Sequence, residues 1–323
     1  MDDLQRTLGV TRVARVTGLD RAGVEVACAV RPGGHVLQVS NGKGFSWEEA
    51  RASALSEAAE LWAAERPVAR DLVYASIDEL SGENVVWPND LVAPRLWSRR
   101  TRIAWVRATD GAFVPAQTVY CPPQGAPPLG PAVFRWSTNG MGAHPVKRLA
   151  LQHAVLEACE RDQLARALPQ GWTRKAIAAR KLHASSLPLW RKLRDARLEA
   201  HVFDLSSRDL PVAGVVLIDL DEGPIPVTAG YCCALTATRA VNGALLEAAQ
   251  SRLTDLHGAR EDVAHAGPPR GLREACERAR PVRGLRQMPA ARRLPSLTFV
   301  ELSSEPLHVV KVIAPRMRVS GLL

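Results

Sequence analysis

Apolar residues recur at the three- and four-residue steps of an amphipathic helix in three long stretches of the chain. The first is predicted from about Ser46 to Glu65, with Ser46 as N-cap and Glu48 and Glu49 in an acidic first turn. The second is predicted from Pro145, whose missing N–H suits a first helical position, to about Ala167. The third covers about Thr238 to Leu256, and shorter helical patterns fall on Arg174 to Leu182 and Leu187 to Ala196. Elsewhere the period drops to two. "GVEVACAV" (Gly23 to Val30) and "HVLQVS" (His35 to Ser40) read as a hairpin joined by "RPGG". "RIAWVRAT" and "FVPAQTVY" read as strands around an Asp110-Gly111 turn. "EAHVFDLS", "VAGVVLIDL" and "IPVTAGYCCAL" form a further run of three strands, and "LTFVEL" and "LHVVKVIAP" a closing pair. "CPPQGAPPLGP" (Cys121 to Pro131) is a loop. Strand pairs followed by long helices predict an α+β fold, helices stacked on mainly antiparallel sheet.

Composition narrows the class. With 46% apolar and 23% charged residues among 323, the chain is an ordinary globular one, expected to form one domain over residues 1–323. Its longest apolar run, Val212 to Ile218, is far short of the roughly 20 residues that span a bilayer. "MDDLQRTLGV" has neither the basic nor the apolar region of a secretory signal, so a cytoplasmic location and no membrane are expected. Six cysteines without a C-x-x-C pair suggest reduced core thiols. A formal charge of +9 favours an anionic partner. Much of the excess is arginine between Arg252 and Arg293, read as a solvated surface, and the tryptophans do not interleave with basic clusters, which speaks against nucleic acid.

The candidate chemistry lies in the three long helices. Aligned without gaps, "ALSEAAELWAAER", "AVLEACERDQLAR" and "ALLEAAQSRLTDL" superimpose Glu57 on Glu157 on Glu247. On a helix turning about 100° per residue, positions −4, 0 and +3 share one stripe. The stripes are Ser53, Glu57, Glu60; His153, Glu157, Glu160; and Gly243, Glu247, Gln250. A single E-x-x-E step belongs as a rule to a solvated face, and such faces tend to offer basic partners four residues on. Here Glu57 is followed at that step by Leu61, and Glu157 by Arg161. Three carboxylate stripes in one register, without lysines to offset them, point to a cation brought from outside. Magnesium takes oxygen ligands, commonly one or two carboxylates plus phosphates. No P-loop and no strand-linked G-x-G-x-x-G is present, so carboxylate-held metal would carry much of any phosphate recognition. Two glycine-rich stretches, "SNGKGFS" with Lys43 and "STNGMGAHP" with Asn139, are read as loops leading into the first two helices, where an anion is favoured. His153 is read as a satisfied helix histidine.

"SNGKGFSWEEARASALSEAAE", "STNGMGAHPVKRLALQHAVLEACERD" and "ALLEAAQSRLTDLHGARED" resemble the three signature regions of the YcaO family. The opening "LGVTRVARVTGLDRAGVEV" is similar to that of members acting with a TfuA-type partner. The core motifs occupy 40–66, 137–167 and 231–262. The resemblance implies a YcaO-like α+β fold and an enzyme dependent on ATP and Mg2+ that activates backbone amides of a peptide or protein. A Cys, Ser or Thr side chain as nucleophile then gives an azoline, sulfide a thioamide, an amine an amidine. It further implies that Glu57, Glu60, Glu157, Glu160 and Glu247 hold metal. Lys43, Ser53, Asn139, Arg161 and Gln250 would contact the nucleotide or the metal shell, with Glu157, Glu160 and Arg161 at the chemistry.

Two departures shape the expectation. The first family motif commonly ends E-x-x-E-R, and Leu61 stands in the arginine place. The chain ends "VIAPRMRVSGLL" and not in the proline-rich tail of many azoline-forming members, so thioamidation is placed slightly ahead of ring formation. No stretch before the first hairpin is long enough for a leader-recognition module. Capture of the substrate is therefore expected directly or through a TfuA-like or ubiquitin-activating-enzyme-like partner, with a homodimer left open. The alternative is a catalytically silent subunit that binds a peptide or partner protein in the old pocket.

Overall fold

A computed structural model of the chain describes residues 2–87, 97–171, 175–206, 209–261, 272–281, 284, 288–289 and 294–318. A short helix α1 (Asp3–Leu8) precedes β1 (Arg12–Arg15), β2 (Glu25–Val30) and β3 (Val39–Gly44), an antiparallel sheet in that order. The chain turns from β3 directly into α2 (Trp47–Ala64). A second sheet, β4 (Leu72–Ala75), β5 (Ile103–Arg107) and β6 (Phe113–Pro115), follows. Strand β7 (Met141–His144) then runs into α3 (Lys147–Ala167). Next come β8 (Ala176–Ile177), α4 (Leu187–Asp195), β9 (Leu198–Asp204), β10 (Val212–Asp219) and β11 (Val227–Cys233), which leads into α5 (Ala237–His257). After α6 (Leu272–Arg278), β12 (Thr298–Ser303) and β13 (His308–Ile313) close the described chain. The last two sheets are ordered β11-β10-β9-β8 and β12-β13-β7, and all the strand pairs are antiparallel. The predicted α+β class is the observed one.

Three strand–helix units emerge: β3 with α2, β7 with α3, and β11 with α5. In each, the strand lies at a sheet edge. The helix faces it with a row of small side chains: Ala50, Ala54, Ala58; Ala150, Ala154, Ala158; Ala240, Ala244, Ala248, all buried. The rows share the register of the glutamates. Alanine keeps the helix backbone close to the strand, and glycine on the strand completes the approach. A Cβ at Gly42 would lie 2.8 Å from Ala54 Cα, and one at Gly142 2.9 Å from Ala154 N. In the third unit the strand glycine is Gly230, whose added Cβ would lie 2.7 Å from Glu247 C; Cys232 stands in the Gly42 and Gly142 position, and there the helix yields with Gly243, whose added Cβ would meet Cys232 Cβ at 2.8 Å. Each helix also packs on the strand of the next unit, α2 on β7, α3 on β11 and α5 on β3, so the units close into a ring.

Several local expectations are corrected. "SNGKGFS" is strand as far as Gly44, and "STNGMGAHP" is a turn only up to Gly140 before β7 begins at Met141, while the predicted strand from His35 is displaced to Val39. Gly42, Gly44 and Gly142 serve helix contact, whereas Gly140, with φ 75°, turns the chain. Helix α3 starts at Lys147 behind Val146, and not at Pro145. Of the predicted helix Arg174 to Leu182, the described part is the short strand β8 and a single 3-10 turn at Ala179–Lys181. Arg252, counted among surface arginines, is 3% exposed, with Nε 3.2 Å from Asp20 Oδ1 and Nη2 2.9 Å from Asp219 Oδ2. The predicted arginine-rich surface in 262–271, 282–283, 285–287 and 290–293, and Asp262 of the third motif, lie outside the described residues. Among the described residues no helix is long and apolar enough to cross a membrane.

Candidate active site

An edge strand leaves one row of backbone N–H groups without a neighbouring strand, and here the glutamate stripes take them up. Asn41 N–H on β3 donates to Glu57 Oε2 at 3.0 Å, and Tyr231 N–H at the matching place on β11 to Glu247 Oε1 at 3.4 Å. The residue three further along each helix reaches the next unit. Glu60 of α2 receives the Ala143 N–H of β7. Glu160 of α3 accepts from Cys233 N–H of β11 at 2.9 Å. Gln250 Nε2 of α5 donates to the Asn41 carbonyl of β3 at 3.0 Å. The three stripes therefore meet on the axis of the ring.

Four cations enter the same space. Lys43 Nζ is 3.1 Å from Glu247 Oε2, and Arg260 Nη1 is 3.3 Å from Glu57 Oε1. Arg161 flanks Glu157 and Glu160. Lys311 of β13 faces Glu157 and Glu60 while its Nζ donates to the carbonyls of Ser137 at 2.6 Å and Asn139 at 2.5 Å. The expectation of uncompensated carboxylates is thus corrected. Basic partners exist, but they come from other elements and not from the next helical turn.

Burial and mutual repulsion nevertheless hold the carboxylates in strained charge states. Burial first, then Glu157 and Glu57, raise Glu60 well above the usual carboxylate range, against the Ala143 N–H and Lys311. Burial raises Glu157 to about 7 although Arg161 and Lys311 pull it down. Burial and then Glu247 raise Glu160 to about 8. Lys311 is brought down to about 8 by burial, against the pull of Glu157 and Glu60. Lys43 is raised, because Glu247 outweighs its desolvation. All five glutamates remain half-buried.

Among the sequence-predicted residues, Glu57, Glu60, Glu157, Glu160, Glu247, Lys43, Arg161 and Gln250 are brought together. Asn139 joins through its backbone carbonyl, while its Oδ1 is buried without a hydrogen-bond partner. Ser53 is half-buried one turn before Glu57, and His153 at the equivalent place on α3 is exposed. Leu61 is packed in the core. Sequence reasoning missed Lys311, Arg260 and Asn41. Among the described residues, no three His, Cys, Asp or Glu side chains already converge as a metal cage. Magnesium does not require one, because it completes its shell with phosphate oxygens and water.

Residues 41–302 match the family model described as YcaO cyclodehydratase, ATP- and Mg2+-binding. The chain belongs to this family of ATP- and Mg2+-binding enzymes. An uncharacterised protein of Methanothermobacter thermautotrophicus is 31% identical over 80% of the chain and 69% of its own length. An uncharacterised protein in the tfuA 3' region of Rhizobium leguminosarum bv. trifolii is 30% identical over 80% of the chain and 65% of its length. The chain thus spans about two thirds of these relatives. YcaO from Methanopyrus kandleri, bound with AMPPCP and Mg2+, superimposes with a TM-score of 0.74 at 22% identity over 96% of this chain and 86% of that one. A heterocyclase in complex with substrate and cofactor gives 0.76 at 18% identity, over 96% of this chain and 50% of that one. Both likenesses are of fold. The residues present fit the ligands of the family: five half-buried carboxylates gathered at one place are a donor set for a hard dication, and the basic groups beside them suit phosphate.

Proposed function

We propose that this chain activates a backbone amide of a peptide or protein at the expense of ATP, as one catalytic domain over 1–323, giving a thioamide or an azoline. The observation that carries the reading is the convergence of Glu57, Glu60, Glu157, Glu160 and Glu247 with Lys43, Arg161 and Lys311 at the axis of the ring. ATP, bound with Mg2+, would supply the phosphoryl group that makes the amide oxygen a leaving group once a nucleophile has added to the carbonyl. The chain's own work is positioning and charge neutralisation, which is what phosphoryl transfer chiefly demands. Glu57, Glu60, Glu157, Glu160 and Glu247 would hold the metal. Lys43 and Arg161 would face the phosphates, with Ser53, Asn139 and Gln250 around the nucleotide. The edge-strand N–H groups keep the carboxylates from turning away. A TfuA-type partner for substrate capture is supported by the tfuA neighbourhood of the Rhizobium relative.

The test is phosphate release from ATP with a candidate peptide, read alongside the peptide mass for exchange of oxygen by sulfur or for loss of water. Release that depends on the peptide and disappears in Glu157→Gln is expected. Release indifferent to that substitution in a folded protein would sink the proposal. A second reading, a silent subunit that only binds a peptide or partner, is favoured by the burial of Leu61 where the family carries arginine. It predicts no Mg2+-dependent thermal shift with ATP, because a ligand selective for the native state must raise its stability.

A further inference from the structure

The first carboxylate stripe lacks the arginine that follows the second. Glu157 is succeeded four residues on by Arg161, but Glu57 by Leu61, which is 1% exposed. Position 61 therefore supplies no guanidinium to the first stripe. Yet a guanidinium is present at Glu57, since Arg260 Nη1 lies 3.3 Å from Glu57 Oε1 with its side chain 20% exposed. It arrives from the turn after α5. Gly258 ends that helix in the left-handed region, with φ 58°. Both neighbours of Arg260 are then tied down: Ala259 N–H donates to His257 Nδ1 at 3.0 Å, and Glu261 Oε1 accepts from Gln38 N–H at 3.2 Å. Glu57 is held from its other side by Asn41 N–H. The juxtaposition is therefore fixed at both ends.

We propose that Arg260 is a nucleotide-phosphate ligand, supplying from the end of the third unit the guanidinium that position 61 lacks. The inference rests on the reading of this site as one for ATP and Mg2+. Were Glu57 to hold a magnesium ion together with a phosphate, phosphate oxygens would come next to that carboxylate. The cation already beside Glu57 is then beside the phosphate too. Arginine suits both settings, since its planar fork of five donors can lie along a carboxylate edge or a phosphate edge. Leu61 thus removes an arginine from the helix without removing one from the site.

Calorimetric titration of Mg2+ with a non-hydrolysable ATP analogue, and of adenosine alone, separates the alternatives. In Arg260→Gln, affinity for the analogue is expected to fall about 10- to 100-fold, the worth of one or two charged hydrogen bonds, with adenosine affinity unchanged. Arg260→Lys keeps the charge but not the fork, and is expected to bind the analogue at an intermediate level with an unaltered ligand-free melting temperature. If the glutamine variant is poorly folded, the lysine variant decides. Wild-type affinity for the analogue in both variants, or an equal loss for adenosine, would overturn the proposal, the second by showing a merely structural role. Wild-type protein that binds no analogue at all would instead overturn the nucleotide reading beneath it.

Discussion

Lys311 enters the carboxylate cluster from a strand in which it lies between Val309, Val310, Val312 and Ile313, and it is 4% exposed. Replacing it by methionine would leave Glu60 facing Glu157 and two carbonyls without their donor. Breaking a buried charge pair from one side costs about 3–5 kcal/mol, so Lys311→Met is expected to unfold in urea at markedly lower concentration. The loss should be smaller at pH 5, where the carboxylates are neutral. The wild type should show its own pH signature. Glu157 and Glu160 rise from 4.5 to about 7 and about 8 on folding, so between those limits the folded state binds more protons than the unfolded one. Their contribution is full below about 4.5 and is lost as pH rises through 7 to 8. Lys311 has the opposite sign: lowered from 10.5 to about 8, its contribution is full above 10.5 and is lost as pH falls through 8. Ligand-free melting temperatures are therefore expected to fall as pH is raised from about 5 toward 8, above which the raised thiols of Cys159 and Cys276 oppose the Lys311 contribution. The glutamates were legible in the sequence because they repeat at a fixed offset. Arg260 and Asn41 were not, because the contacts that join Arg260 to Glu57 and Asn41 to Gln250 span 203 and 209 residues of chain. A lysine alone inside an apolar strand is the one signal that could have found Lys311.

At the level of elements, the three long helices were legible almost to the residue, since an N-cap serine at Ser46 and an apolar period suffice to place them. Two of the strands feeding them, β3 and β7, were not. Glycine is depleted in strands, so "SNGKG" and "NGMG" suggest loops. The burial that makes them strands comes from a helix that follows later in the chain. Alanine substitution exposes this dependence. Gly142→Ala would place a methyl group against the Ala150–Ala154 turn of α3. Overpacking costs about 1–3 kcal/mol, and because the obstacle is backbone the upper end is expected, read as a lowered denaturant midpoint. The same change at Gly18, where an added Cβ meets nothing within 4 Å and φ is not in the left-handed region, is the control. A loss no greater at position 142 than at 18 would remove the close-packing explanation.

Across the whole molecule, the offsets of Glu57, Glu157 and Glu247 revealed a threefold repeat, but not that its members hand side chains round a ring. That relation lives in contacts between α2 and β7, α3 and β11, and α5 and β3, and has no linear signature. It makes ligand binding a property of the assembled chain. With Mg2+ and a non-hydrolysable ATP analogue at 100 times the dissociation constant, native-state stability should rise by about 2.7 kcal/mol, measured as a shift of the melting curve that chelation of the metal reverses.

The exchange of Glu60, Glu160 and Gln250 onto neighbouring strands also bears on how the molecule comes into being. A chain with two units docked has a clasp still hanging open and nothing yet for a nucleotide to grip. Capture of nucleotide would then register completion itself, tripping only when the last unit meets the first, much as a lock turns only when its final tumbler is seated.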